Sequence, residues 1–272
     1  KRRATSGRIV RFSLAAMSEK SQYGQTVTYD VSAVLHDFQT SKSHVQYVRT
    51  LNHGTMLIMD GEIQYSTLDE HRYHYLLTSP MFQQSRQILI LGGGDGLAAR
   101  NLYKSPTTTS ITIVDWDQEF VQFAKTNIPE NMGSLVDPRT KLVFGDALAY
   151  VSSTSNTYDG VIIDLPDPDG DEMENLYIDI IAALPRILDV HAIVTAHVGP
   201  VSLCNDHLCW SFIANCKRTM KEYFKVDPVF DKVYVPSFSH EWGFLSCFIG
   251  GTYTHFPRFP IENDVRNIYS TL

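Results

Sequence analysis

The apolar run Gln87–Leu91 breaks directly into Gly92-Gly93-Gly94-Asp95-Gly96, and LAARNLYKS follows with helical character. A strand that ends in glycines and reopens as a helix is a βα unit whose turn lets the backbone pass close to a ligand. The pattern repeats down the chain. SITIVDWD precedes the helical EFVQFAKTNI, TKLVFGDA and YDGVIIDLPDP are two further strand-to-loop units, and AIVTAHV and FLSCFIG read as later buried strands. Strands alternating with helices predict an α/β fold, a doubly wound parallel sheet with helices on both faces. Such sheets bind ligands beyond the carboxyl ends of their strands. Residues 92–96, Asp115, Asp146 and the loop 164–167 all fall at such ends.

Upstream the pattern differs. VTYDVSAVLHDF, HVQYVRT and MLIMDGEIQY alternate apolar and polar residues between turn signals at 52–54 and 60–61, which predicts a small antiparallel sheet. DEHRYHYLL, from Asp69, then opens a helix with acids in its first turn. The expected organisation is a flexible N-terminal segment at 1–20, a small β domain at 21–70 and the α/β domain at 71–272. The 272 residues carry 30 acidic and 23 basic side chains, a formal charge of −7. That balance disfavours nucleic acid as a partner and favours cations. No run approaches the ~18 apolar residues of a membrane span, and no signal-peptide core is visible. Cys204, Cys209, Cys216 and Cys247 form no CxxC pair and read as free, buried thiols of a reducing compartment. The expectation is a cytoplasmic enzyme with no metal centre.

The strand-end acids describe a nucleoside site. Asp115, 23 residues after Gly92, can accept both hydrogen bonds of a ribose diol. Asp146 ends the next strand, within reach of an adenine amino group. The loop is a poor pyrophosphate cradle, because the third glycine of GxGxxG would fall at Leu97 and Asp95 places a negative charge where phosphate would lie. A helix-capping role for Asp95 is the simpler structural alternative. An S-adenosyl sulfonium fits better. Ordinary S-adenosylmethionine ends in a carboxylate and an amine, and its decarboxylated form ends in the amine alone. An aspartate inside the loop suits the bare ammonium, hence aminopropyl rather than methyl transfer.

Asp164-Leu165-Pro166-Asp167-Pro168 ends the fourth strand, with the prolines stiffening the loop. From Asp164 to Glu174 there are six acids and no base, and the stretch from Asp169 reads as a solvated loop. Asp164 follows the apolar run Val161–Ile163 and would be desolvated without a partner, for which a cationic amine is the natural candidate.

Seven segments, MLIMDGEIQ, DEHRYH, ILILGGGDGLAAR, ITIVDWD, GDA, YDGVIIDLPDP and YVPSFSHEWGF, resemble in order and spacing the spermidine/spermine synthases, the polyamine aminopropyltransferases. The resemblance covers about residues 35–250. It implies a Rossmann-like domain of the class I S-adenosylmethionine-dependent transferase type, preceded by a small β domain, in a homodimer. It implies that Asp95 holds the aminopropyl ammonium of decarboxylated S-adenosylmethionine, Asp115 the ribose and Asp146 the adenine. Gln39, Gln64, His74, Gly92, Gly94 and Ala147 would complete the donor pocket. Asp164 would be the base, assisted by Tyr73, which also meets the acceptor. Asp167 would fix the amine of a putrescine- or spermidine-type acceptor, and Glu241 a distal amine.

The acceptor half departs from the family pattern. Tyr75 stands where the family has glutamate, Phe238 where it commonly has tyrosine, and a glutamine is replaced around Ala196–His197. Loss of a negative charge at 75 predicts a less charged, bulkier or aromatic amine. Core packing is expected of Trp116 and Trp242, and a structural role of His197. Two other functions fit the scaffold: an amine N-methyltransferase using ordinary S-adenosylmethionine, and a catalytically weak regulatory paralogue.

Overall fold

The computed structural model describes residues 15–20, 26–82, 84–168, 170–201 and 207–251. Five strands, β1 (Ala15–Lys20), β2 (Thr26–Gln39), β3 (His44–Thr50), β4 (Thr55–Met59) and β5 (Glu62–Ser66), form an antiparallel sheet in chain order. The β4–β5 turn is Asp60-Gly61, both with positive φ (53° and 90°), the two-residue hairpin geometry that matches strand twist. β1 corrects the expectation of a flexible segment through residue 20. Residues 15–20 pair with 26–31 of β2 and give its backbone groups partners. Six residues are too few for alternation to stand out in sequence. The rest of that segment, 1–14, lies outside the described residues.

The chain continues through α1 (Glu70–Thr78), β6 (Gln87–Gly92), α2 (Leu97–Leu102), β7 (Ser110–Asp115), α3 (Gln118–Asn127), β8 (Thr140–Phe144), α4 (Ala147–Ser153), β9 (Tyr158–Asp164), α5 (Asp171–Ala183), β10 (Leu188–Val201), α6 (His207–Phe224), β11 (Val229–Val235) and β12 (His240–Phe248). The second sheet runs β11-β12-β10-β9-β6-β7-β8. β6 is an inner strand between β9 and β7, and Ile88, Leu89, Ile90 and Leu91 are fully buried because helices cover both faces. Ile88 and Ile90 join the core cluster that includes residues of α1, α2 and α3, and Leu89 and Leu91 join the one that includes residues of α4, α5 and α6.

Two expectations change. The sheet is mixed, since β12 runs antiparallel to β10 and β11 antiparallel to β12. The link between β11 and β12 is the short turn Pro236–Phe238, which can join only antiparallel neighbours. The acids after the 164–168 loop are helical: Asp171, Glu172 and Glu174 occupy the first turn of α5, where the helix dipole favours negative charge. Tyr177, Ile180 and Ile181 anchor that helix in the core. Asp169 lies outside the described residues. Cys216 and Cys247 are free and buried; Cys204 falls outside the described residues, and of Cys209 only the backbone is described. Among the described residues no helix is long and apolar enough to cross a membrane.

Candidate active site

β6 is the point where the sheet reverses: the chain moves outward through β7 and β8, then returns to β9 on the other side of β6. Ligand crevices form at such a switch. Here it brings Gly92 opposite Asp164 in register. A Cβ on Gly92 would lie 1.9 Å from the Asp164 carbonyl oxygen, and φ is +83°, so only glycine lets the two loops touch. A cavity of about 690 Å³ opens above them, closed on the far side by Leu57, Met59, Ile63 and Gln64 of the first sheet.

At one end of the cavity sit the acids of the glycine loop and of β7. Asp115 accepts the Asp117 N–H at 2.9 Å and also the Gly94 N–H. Burial, with smaller effects of opposite sign from these bonds and from neighbouring carboxylates, raises its pKa to about 6. A Cβ on Gly94 would come within 2.4 Å of Asp115 Oδ2, which explains the small residue there. Asp95 accepts the Leu97 N–H at 2.9 Å, the local capping bond considered above, yet it also lines the cavity. Burial pushes its carboxyl up, the His74 imidazole pulls it down, and Asp164 pushes it up again. Asp146 caps α4 through the Ala149 N–H at 2.6 Å and reaches the cavity rim with Ala147.

Behind Asp95 lies a buried charge cluster. His74 Nδ1 is 3.0 Å from Glu70 Oε2, and the Arg100 guanidinium meets both Glu70 oxygens at 2.9 and 3.0 Å. Against burial, which would raise it, the His74 and Arg100 contacts hold the Glu70 carboxyl well below its usual range. Burial lowers the His74 pKa, but Glu70 outweighs it and the net shift is upward, which favours an imidazolium beside Asp95. The sequence signal for this pair was the i, i+4 spacing of Glu70 and His74 on α1.

The other end is built round Asp164. Tyr73 Oη donates to Asp164 Oδ1 at 2.7 Å. Burial first, then the Asp164 charge, raises the Tyr73 pKa well above normal, so this phenol is a fixed donor and not a base. Asp167 and the α5 residues Glu172, Met173 and Leu176 extend the cavity. Its aromatic wall is Tyr73, Phe238, Trp242 and His197, with Phe238 and Trp242 centroids 4.7 Å apart. Asp69, fully buried, sets that wall: its carboxylate accepts Ser237 N–H at 2.6 Å and Ser237 Oγ–H at 2.7 Å, pinning the turn that carries Phe238.

The structure gathers Gln64, Tyr73, His74, Gly92, Gly94, Asp95, Asp115, Asp146, Ala147, Asp164 and Asp167 round this one cavity. Gln39 and Glu241 do not line it. Gln39, at the end of β2, donates to the Thr40 carbonyl. Successive strand residues face opposite ways, so with Trp242 turned to the cavity Glu241 turns to Lys232 on β11. Tyr75 is buried in the core, which removes the charge argument built on it. Trp116 is 56% exposed, so core packing is not its role; it sits on the cavity rim beside Asp115. His197, for which the sequence suggests a structural role, belongs to the cavity wall. Among the described residues no group of three or more His, Cys, Asp or Glu side chains is placed to hold a metal ion.

A glycine loop and strand-end carboxylates at the switch point of this sheet mark a class I methyltransferase-like fold. The family model for the spermine/spermidine synthase domain matches residues 70–251, and that for the spermidine synthase tetramerisation domain matches residues 17–67. The polyamine aminopropyltransferase of Sulfolobus acidocaldarius is 32% identical over 220 residues, 79% of this chain and 71% of that one. That of Bacillus subtilis is 28% identical over 216 residues, 78% and 76% of the two chains. A spermidine synthase crystallised with the transition-state analogue AdoDATO superposes with a TM-score of 0.79 at 19% identity, covering 90% of this chain and 84% of that one. Spermidine synthase from Thermotoga maritima gives 0.75 at 20% identity, covering 89% and 81%. The chain belongs to the spermine/spermidine synthase family.

Proposed function

We propose that the protein transfers the aminopropyl group of decarboxylated S-adenosylmethionine to an amine of the putrescine or spermidine type. The observation that carries this reading is Asp95, a buried carboxylate inside the glycine loop that shares one cavity with His74 and with the Asp164–Tyr73 pair. Asp95 suits a terminal ammonium and repels the carboxylate of ordinary S-adenosylmethionine. Asp115 takes the ribose diol, Asp146 and Ala147 the adenine side, and Gln64, His74 and the glycines close the donor pocket. Curated relatives carry the name polyamine aminopropyltransferase, and a structural neighbour was crystallised with AdoDATO, which supports the same reading.

In the reaction the amine nitrogen attacks the propyl carbon next to sulfur. The new C–N bond forms as the C–S bond breaks, and sulfur leaves with the electron pair as neutral methylthioadenosine. The nucleophile must be uncharged, yet an alkylamine of pKa ~10 is neutral in only about one molecule per thousand at pH 7. Asp164 receives the proton, with Tyr73 fixing the carboxylate, and Asp167 holds the amine in line. Assembly into an oligomer through the first sheet is part of the proposal, since residues 17–67 match a tetramerisation domain. A homodimer and a tetramer are separated by light scattering.

The test is incubation of the purified protein with decarboxylated S-adenosylmethionine and putrescine, spermidine, cadaverine or tyramine, read by mass spectrometry. Methylthioadenosine together with an amine heavier by one aminopropyl group is expected. An amine heavier by one methyl group with ordinary S-adenosylmethionine would replace this reading with N-methyl transfer. Donor binding without any product would favour a regulatory paralogue.

A further inference from the structure

His197 is a fully buried histidine whose ring nitrogens both have partners. Trp242 can only donate, and its Nε1–H points at His197 Nδ1 from 3.4 Å. Nδ1 is therefore the bare nitrogen and Nε2 carries the hydrogen. Nε2 lies 2.6 Å from the Leu165 carbonyl oxygen and 2.6 Å from Tyr177 Oη. The Tyr177 hydroxyl in turn donates toward the Leu165 carbonyl at 3.1 Å and the Pro166 carbonyl at 3.3 Å. Burial lowers the His197 pKa, and a proton on Nδ1 would face the indole N–H, donor against donor.

The carbonyl so gripped belongs to the residue between Asp164 and Pro166. Its orientation sets the peptide plane that leads from one carboxylate toward the other at Asp167. The opposite side of Asp164 is held by Tyr73. The backbone round His197 is shaped for the same contact: β10 slips register with β12 between His197 and Pro200, and Gly199 sits there at φ +78°. A Cβ on Gly199 would lie 3.2 Å from Pro168 Cγ, so the bulge meets the far end of the same loop.

We propose that His197, with Tyr177, is a positioning residue that aims the Asp164–Asp167 loop at the acceptor amine by clamping the Leu165 carbonyl as a neutral Nε2–H donor. The inference deepens the aminopropyl-transfer reading and rests on it for its kinetic consequence. The neutral form matters at this place, because a cationic ring on the cavity wall would compete with a cationic acceptor. An amide could supply the same hydrogen, which links this histidine to the glutamine that the family pattern has near this point.

Two measurements test it. The first needs no substrate: long-range ¹H–¹⁵N spectra of the imidazoles in wild type and His197→Gln identify the His197 signals. A protonated Nε2 with a bare Nδ1 at neutral pH is expected, and a protonated Nδ1 or a charged ring overturns the clamp. The second compares wild type with His197→Leu, His197→Gln and Tyr177→Phe. Amine binding is measured by calorimetry in the presence of methylthioadenosine, which cannot react, alongside kcat and KM. His197→Leu should weaken amine binding and lower kcat about tenfold each, with methylthioadenosine affinity within twofold of wild type. His197→Gln should restore both to within about threefold, and Tyr177→Phe should fall between. A folded His197→Leu with wild-type amine binding and kcat refutes the inference, as does a matching loss of methylthioadenosine affinity. Should His197→Leu fail to fold, Gln and Phe variants with equal losses at both ligands refute it. If wild type binds methylthioadenosine but no amine, the functional reading fails and the imidazole spectrum alone decides the clamp.

Discussion

Replacing Glu70 by glutamine should unfold more than a surface ion pair would suggest. Glu70 and Arg100 side chains are 11% and 9% exposed, and the guanidinium meets the carboxylate through two bonds of 2.9 and 3.0 Å. An exposed pair contributes about 0–1 kcal/mol. Removing one partner of a buried pair leaves the other charge uncompensated and costs about 3–5 kcal/mol. Here two cations, Arg100 and the His74 imidazolium, lose the same carboxylate, so the upper half of that range is expected. At about 2.1 cal/mol/K of unfolding entropy per residue, a chain this long would lose about 7–9 °C in Tm. The assay is urea denaturation at matched protein concentration, which oligomer linkage demands, with an unchanged slope showing that the same unfolding is measured. The pH dependence gives a second handle. Glu70 titrates below its ordinary 4.5 in the fold, so its contribution is present above that value and lost as pH falls through the folded pKa. His74 titrates above its ordinary 6.5, so its contribution is complete below 6.5 and lost as pH rises through the folded pKa. The gap between wild type and variant should be widest between the two, vanish in acid, and narrow in alkali to the share held by Arg100. A loss under about 1 kcal/mol near pH 5.5 would refute the assignment of a buried, charged cluster.

Asp164→Asn should lower turnover roughly 10²–10⁴-fold in a stopped assay while methylthioadenosine affinity is unchanged; wild-type turnover would remove Asp164 from the chemistry. Asp95→Asn should weaken decarboxylated S-adenosylmethionine about tenfold or more by calorimetry and spare methylthioadenosine, which has no ammonium. Equal effects on both ligands would contradict that role. Asp115, raised to about 6, is increasingly protonated below that pH, so methylthioadenosine affinity should decline as pH drops from 7 to 5. A flat profile would mean that the carboxylate does not hold the ribose.

The placement of the acids at each end of the cleft is legible in the sequence because it depends on local order. An apolar run followed by glycines makes a strand and a tight turn wherever it occurs, and an acid at the end of a parallel strand falls on the binding edge of the sheet. Asp95, Asp115, Asp146 and Asp164 needed no more than that. Residues whose role depends on which way a side chain turns were not legible. Tyr75 and His74 are neighbours on α1, yet one enters the core and the other the cavity, because about 100° of helical rotation separates them. Glu241 and Trp242 divide in the same way on β12, where the faces alternate. Periodicity states which residues share a face, and only the packing of α1 against α2, β10 and β11 and of β12 against β10 decides which face meets the cavity. The hydrogens on His197 are the extreme case. They are set by Trp242, Tyr177 and the Leu165 carbonyl, from three other elements, and no local pattern in the chain brings those groups together.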